Sequence, residues 1–133
     1  MTTISEDYVS FETAKLLKEK GFNEQTRFCF RRDGKILHND ESYVGYPGYY
    51  PRPTLQMVMK WLREVHNLIV NPVTTSAGTR CYGEWEADIY YRDSGIDATI
   101  NACGHIYGET YEEACDTGIR YCLKHLITYE TKT

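Results

Sequence analysis

The sequence lacks the long apolar runs that membrane insertion and secretion require. No stretch approaches about 18 consecutive apolar residues, the length that spans a bilayer as a helix. The first ten residues are polar and acidic, with neither a positively charged segment nor an apolar core, so they do not match a signal peptide. These absences predict a cytoplasmic protein with no membrane partner.

Motifs of the common enzyme classes are missing as well. The chain contains no phosphate-binding glycine loop, no nucleophile elbow and no HExxH zinc motif. Its cysteines form an odd set without a CxxC pair, which fits reduced, mostly buried thiols better than a disulfide framework. No catalytic residue, metal or cofactor is therefore predicted, and the balance of these absences is against an enzyme. The five cysteines are Cys29, Cys81, Cys103, Cys115 and Cys122.

The composition is that of one soluble globular domain. The chain has 133 residues and a mass of 15.5 kDa, with 41% hydrophobic and 26% charged residues. A chain of this length buries roughly two-thirds of its unfolded surface, so we predict a single domain over 1–133. Nineteen acidic against fifteen basic residues give a net charge of −4, which disfavours a broad nucleic-acid-binding surface but not a local basic patch.

Three segments have the apolar spacing of amphipathic helices. Gly21 is placed to end the first, and Asn67 to end the second. The third opens with a capping box, in which Glu113 follows Thr110 at the required spacing. The predicted helices cover 11–20 after Ser10, 55–66 after Thr54 and 111–126 after Thr110.

The segments between these helices alternate apolar and polar residues as strands do. Phe28 and Phe30 predict one buried face, with Cys29 on the other, and Asp33-Gly34 predicts a hairpin turn. The predicted strands cover 27–32, 35–38, 68–73, 81–92 and, with weak patterning, 96–102.

Without the weakly patterned strand 96–102, the predicted helices and strands follow in the order α-β-β-α-β-β-α. Hairpins separated by helices, without regular βαβ alternation, favour an antiparallel sheet. We therefore predict an α+β fold with one antiparallel sheet of about three to four strands and helices packed mainly on one face.

Three stretches resemble a known group of proteins. They are Tyr8–Phe22 (YVSFETAKLLKEKGF), Pro53–Asn67 (PTLQMVMKWLREVHN) and Tyr111–Ala114 (YEEA), and they span nearly the whole chain. They are similar to small uncharacterised proteins common in Bacteroides-type genomes and in phages and prophages of those bacteria. The resemblance implies a cytoplasmic protein of phage or mobile-element origin, and it brings no activity or catalytic residue with it.

The segment 43–53 is rich in tyrosine and proline and is interpreted as a loop. Its rings, in a backbone stiffened by proline and glycine, offer rigid amphipathic contact area for a protein partner. In the alternative interpretation the rings fold back over the sheet or over Trp61 as a lid on the core. Arg52, between two prolines, is the natural polar partner in either arrangement. The candidate binding residues here are Tyr43, Tyr46, Tyr49, Tyr50 and Arg52.

A second candidate site is the basic hairpin formed by Arg27, Arg31, Arg32 and Lys35. Arginine beside exposed aromatic rings holds single-stranded nucleic acid through phosphate contacts and base stacking. The alternative is a cross-strand charge ladder, in which Arg27 and Arg31 face the acids of 84–88 on a neighbouring strand.

Pairs of cysteine and histidine give a third candidate. Cys103 lies two residues before His105, and Cys122 three before His125, but neither pair has a known zinc spacing. A cysteine nucleophile at Cys103 or Cys81 with a histidine base at His66 or His105 requires proximity that only the fold can supply.

These patterns together favour a protein-interaction or assembly module that binds another protein or a second copy of the chain through the tyrosine segment and the adjoining Arg31 and Arg32. The alternative is a nucleic-acid-binding regulator using the same hairpin and tyrosines. A small Cys/His enzyme is the third hypothesis.

Overall fold

The computed structural model describes residues 7–38, 47–74, 84–99 and 106–127. The chain divides into two compact units. Unit 1 comprises Met1–Leu55 with Thr128–Thr133, and unit 2 comprises Gln56–Ile127.

Unit 1 begins with the helix α1, Phe11–Glu19. The Ser10 side chain accepts a hydrogen bond from the Thr13 N–H (3.2 Å), and Gly21 ends the helix with a positive φ of 91°. The fully buried Ala14 and Leu17 form its core-facing stripe. Both ends of this helix therefore follow the predicted signals.

A three-stranded antiparallel sheet completes unit 1, in the order β2-β1-β3. The strands are β1 (Phe28–Arg31), β2 (Ile36–His38) and β3 (Tyr49–Arg52). The predicted hairpin turn joins β1 to β2, with Gly34 at a φ of 86°. Cys29, on the side of β1 opposite Phe28 and Phe30, is only 2% exposed, which agrees with the expectation of mostly buried thiols.

The strand β3 lies in the segment that was interpreted as a loop. It tolerates Pro51 because of the hydrogen-bond alternation of the ladder. The Arg31 N–H donates to the Lys35 carbonyl (2.8 Å), so Arg31 and Cys29 point their backbone groups toward β2. Pro51, opposite Cys29, therefore sits where no N–H is needed, on an edge strand.

The helix α2 spans Leu55–His66, and all of its residues except Leu55 belong to unit 2. Unit 2 also contains the second antiparallel sheet, in the order β4-β5-β6. Asn67, with a positive φ of 60°, ends the helix as predicted. Val65 recurs at the helical spacing of Leu55, Val58, Met59 and Leu62, which predicts that it is buried, but it is 61% exposed. The strands are β4 (Leu68–Thr74), β5 (Trp85–Tyr91) and β6 (Tyr107–Gly108).

The helix α3 (Tyr111–Tyr121) packs on one face of this second sheet and continues as a π-helical turn, Cys122–Leu126. Thr110 accepts a hydrogen bond from the Glu113 N–H (3.1 Å), as the capping box predicts. Gly118 lies directly against the sheet, where a Cβ would stand 2.9 Å from the Val70 side chain.

The α+β class, the antiparallel pairing and the order of the helices are confirmed. The strands form two sheets rather than one, and β3 adds a strand that the predicted order omitted. Within the predicted weak strand, residues 96–99 form a turn with one isolated bridge, Asp97 to Tyr90; its other residues lie outside the described ones. None of the helices in the described parts of the chain has the length and apolar character that a membrane crossing requires.

Candidate functional site

One face of the first sheet gathers aromatic side chains and defines the candidate site. Phe28 and Phe30 share a side of β1, and residues directly opposite them in the ladder share that side. We call this surface the aromatic face. Its strand residues are Phe28, Phe30, Ile36, His38, Tyr50 and Arg52.

Two rings from outside the strands extend this face. Phe11 of α1 contacts Phe30 and Tyr50, with ring centroids 5.3 and 5.7 Å away. Tyr8 meets Phe28 edge to face at 5.8 Å, and Phe28 meets His38 in the same way at 5.5 Å. Such edge-to-face contacts are the favoured geometry for aromatic pairs. The rings thus form two adjoining clusters on one side of the sheet.

Cationic side chains cover these rings. The Lys15 ammonium lies 4.8 Å from the Phe11 centroid, and the Lys18 ammonium lies 5.3 Å from that of Tyr50. Arg27 lies over Phe28 at 5.4 Å. Cation–π contacts of this kind contribute about 0.5–2 kcal/mol each, more as they lose water.

Arg52 joins the two ring clusters. Its guanidinium carbon is 4.1 Å from the Tyr8 centroid and 5.7 Å from the centroids of both Phe28 and Phe30. Its Nε is buried and has no hydrogen-bond partner among the described residues. The ring faces therefore stabilise the positive charge of Arg52, and its Nε–H makes no hydrogen bond to a described residue.

The outer edge of β3 is covered from within unit 1. The Tyr49 carbonyl accepts a hydrogen bond from the Lys18 ammonium (2.8 Å), and the Pro53 carbonyl accepts one from the Val9 N–H (3.1 Å). Partial burial lowers the pKa of Lys18. The open part of this region is therefore the aromatic face rather than the β3 edge.

Exposure varies across the face. Phe30 is buried, at 6% exposed, whereas Ile36 is 51% exposed and His38 is also exposed. Tyr8, Phe11, Phe28, Tyr50 and Arg52 are half-buried. Aromatic, arginine and apolar side chains in partial exposure are the composition of protein-binding surfaces.

The predicted tyrosine site is divided by the fold. Tyr50 and Arg52 lie on the aromatic face, while Tyr49, opposite Arg31, points to the other side of the sheet. The Tyr50 ring contacts Phe11 of α1, with ring centroids 5.7 Å apart. Tyr43 and Tyr46 lie outside the described residues.

The basic hairpin is exposed, but the predicted charge ladder is wrong. Its four cations, Arg27, Arg31, Arg32 and Lys35, are all exposed. Both neighbours of β1 are strands of its own sheet, whereas 84–88 belongs to the other sheet, so these charges do not pair across strands. Arg31 instead meets Asp33 at 3.9 Å, and the Arg32 guanidinium lies against Gly48.

Arg31 and Asp33 make a weak surface pair. Their side chains are 50% and 47% exposed, so the attraction is largely screened by water. The pKa of Asp33 is lowered, chiefly because its carboxylate accepts a hydrogen bond from the Lys35 N–H.

Cys122 and His125 do not form a site. Cys122 is fully buried, and burial raises the pKa of its thiol to about 12. His125 is exposed and packs on the Tyr121 ring at 4.9 Å. Within residues 7–38, 47–74, 84–99 and 106–127, no three His, Cys, Asp or Glu groups are placed to hold a metal ion.

The remaining candidates for a cysteine–histidine site are Cys81, Cys103, His105 and His66. Cys81, Cys103 and His105 lie outside the described residues. His66 is half-buried against Trp61, at a ring distance of 4.6 Å, and this burial lowers its pKa.

Sequence patterns did not identify Tyr8, Phe11 and the helix lysines as part of a site. The alternation in β1 placed Phe28 and Phe30 on one face, but their contacts with Tyr8 and Phe11 bridge about twenty residues of chain. No local signal encodes such contacts.

The chain has no match among known proteins in any of three comparisons: with protein-family models, with curated proteins and with solved structures.

Proposed function

We propose that this chain is a cytoplasmic protein-interaction module whose contact surface is the aromatic face. The observation that supports the proposal is the continuous set of half-buried rings beside Ile36, which is 51% exposed. When a partner covers such a surface, apolar area is removed from water, which favours binding. The phage or mobile-element origin implied by the sequence resemblance belongs to the same proposal.

Site-specific photo-crosslinking tests this function. A photoreactive p-benzoylphenylalanine replaces Ile36 in the full chain, and in a matched control it replaces Val65, which is 61% exposed in unit 2. We expect a discrete protein adduct from position 36 after irradiation of cells that produce the chain, and none from position 65. An adduct at twice the mass of the chain identifies the partner as a second copy. Equal labelling from both positions contradicts the proposal.

The second candidate function is binding of single-stranded nucleic acid. It is supported by the four exposed cations of the hairpin, which lack the predicted charge ladder. Light scattering behind a sizing column, at low and at moderate salt, tests it through the ratio of absorbance at 260 and 280 nm. A monomer that carries nucleic acid and loses it as salt rises supports this function, because phosphate contacts weaken steeply with salt.

A further inference from the structure

We infer that the partner of the aromatic face is an acidic protein segment that alternates carboxylates with apolar side chains. The inference rests on the proposed function and names the chemistry of its partner.

The charge of the face points to carboxylates. Lys15, Arg27 and Arg52 each lie over a ring of the face, and Arg52 has a buried donor without an acceptor among the described residues. Guanidinium groups bind carboxylates through paired, charge-assisted hydrogen bonds. The carboxylates of an acidic segment complement these cations.

The same contacts disfavour single-stranded nucleic acid at this face. Bases bind such surfaces by stacking on open aromatic rings. Here the ring surfaces of Phe11, Phe28 and Tyr8 already have cations over them.

A second copy of the chain is not the favoured occupant of this face. Face-to-face pairing about a two-fold axis sets the same surface of each copy against the other. That arrangement opposes like charges at Lys15, Arg27 and Arg52, which costs free energy.

The apolar half of the partner follows from Ile36. Its side chain is 51% exposed and lies beside Phe30 in the ladder, so it offers an apolar contact next to the cations. A segment with alternating carboxylate and apolar side chains satisfies both kinds of contact.

Fluorescence anisotropy with the full chain tests the inference. The probe is a short fluorescein-labelled peptide in which glutamate and leucine alternate, and its controls are the glutamine–leucine peptide and labelled oligo(dT). We expect saturable binding of the glutamate peptide, and binding at least about tenfold weaker for the glutamine peptide, because each lost charge-assisted hydrogen bond weakens binding by roughly that factor.

Two double variants with equal changes in net charge locate the site. Lys15→Glu with Arg27→Glu should weaken binding of the glutamate peptide at least about tenfold. Lys60→Glu with Lys124→Glu, both exposed in unit 2, should leave it within about twofold. Circular dichroism confirms that each variant is folded.

The inference is overturned if the glutamate peptide shows no saturable binding, if both double variants bind it alike, or if oligo(dT) binds more tightly. Crosslinking from position 36 then decides the proposed function separately. A protein adduct at position 36 without binding of the glutamate peptide would contradict the acidic partner but would support the protein-interaction module.

Discussion

At the scale of single residues, Gly118 decides how closely α3 approaches its sheet. In Gly118→Ala the new Cβ lies 2.9 Å from Val70 Cγ1 and 3.0 Å from Ala87 Cβ. Alanine favours a helix by about 1 kcal/mol, but overpacking costs about 1–3 kcal/mol, so we expect a net loss of up to about 2 kcal/mol. Urea denaturation followed by tryptophan fluorescence measures it. Lys60→Ala, exposed on α2, is the control and should change stability by less than about 0.5 kcal/mol.

His66 makes stability depend on pH. Burial against Trp61 lowers its pKa below the ordinary value of 6.5, so the unfolded chain takes up the proton first as pH falls. The stabilising contribution is complete above pH 6.5 and is lost as pH falls from there through the folded pKa. We expect the difference in urea midpoint between pH 7.5 and 5 to shrink in His66→Gln. An identical difference in the two proteins contradicts the prediction.

Residue-scale prediction from sequence succeeded where the cause is local. Ser10, Gly21 and Thr110 act on backbone groups within a few residues, so their patterns are visible in the chain. Val65 was assigned to a buried position by its helical spacing, but distant elements decide whether a residue is covered, and Val65 is exposed.

At the scale of elements, the position of Pro72 in β4 follows the ladder. The Arg92 N–H donates to the Asn67 carbonyl (2.9 Å), so the register makes Asn71 opposite Asp88 a hydrogen-bonded pair. Pro72 lies between two such pairs, so its backbone nitrogen, which carries no hydrogen, faces the edge of β4 that is turned away from β5. The prolines of β3 and β4 obey the same rule.

Moving this proline by one residue tests the register. Asn71→Pro removes an N–H that the ladder uses and leaves its acceptor unpaired, and we expect it to destabilise the protein by about 1–3 kcal/mol. Pro72→Ala removes no hydrogen bond and should change the free energy of unfolding by less than about 1 kcal/mol. Chemical denaturation of both variants is the measurement, and similar losses in the two would mean a shifted register.

The elements were predicted well where periodicity runs long, as in α2 and β5. The strand β3 was not, because the three prolines of the segment 43–53 are typical of a loop when read locally. Only pairing with β1 reveals that Pro51 occupies a position without a ladder hydrogen bond.

At the scale of the whole molecule, calorimetry tests whether the two compact units unfold together. A chain of 133 residues is of ordinary size for one domain, as the sequence predicts. We therefore expect a single calorimetric transition whose van't Hoff and calorimetric enthalpies agree. Two transitions, or a calorimetric enthalpy well above the van't Hoff value, would show that the units are separate domains.

The aromatic face is also a property at this scale. Its rings come from residue 8, from α1 and from all three strands of the first sheet, with Arg52 between the two clusters. The sequence identified Tyr50 and Arg52 as candidates, but it presented their surroundings as a loop.

The sequence by itself determined the α+β class, the three helices with the N-terminal caps of α1 and α3, the hairpin turn and the alternation in β5. These features depend on hydrogen bonds and side-chain spacing within one element, which composition and periodicity encode directly. The tertiary structure alone decided the division into two sheets, the strand β3 and the meeting of Tyr8, Phe11, Phe28 and Arg52. Contacts between residues far apart in sequence form only when the chain closes long loops to bury a shared core, and no local pattern records which partner is chosen.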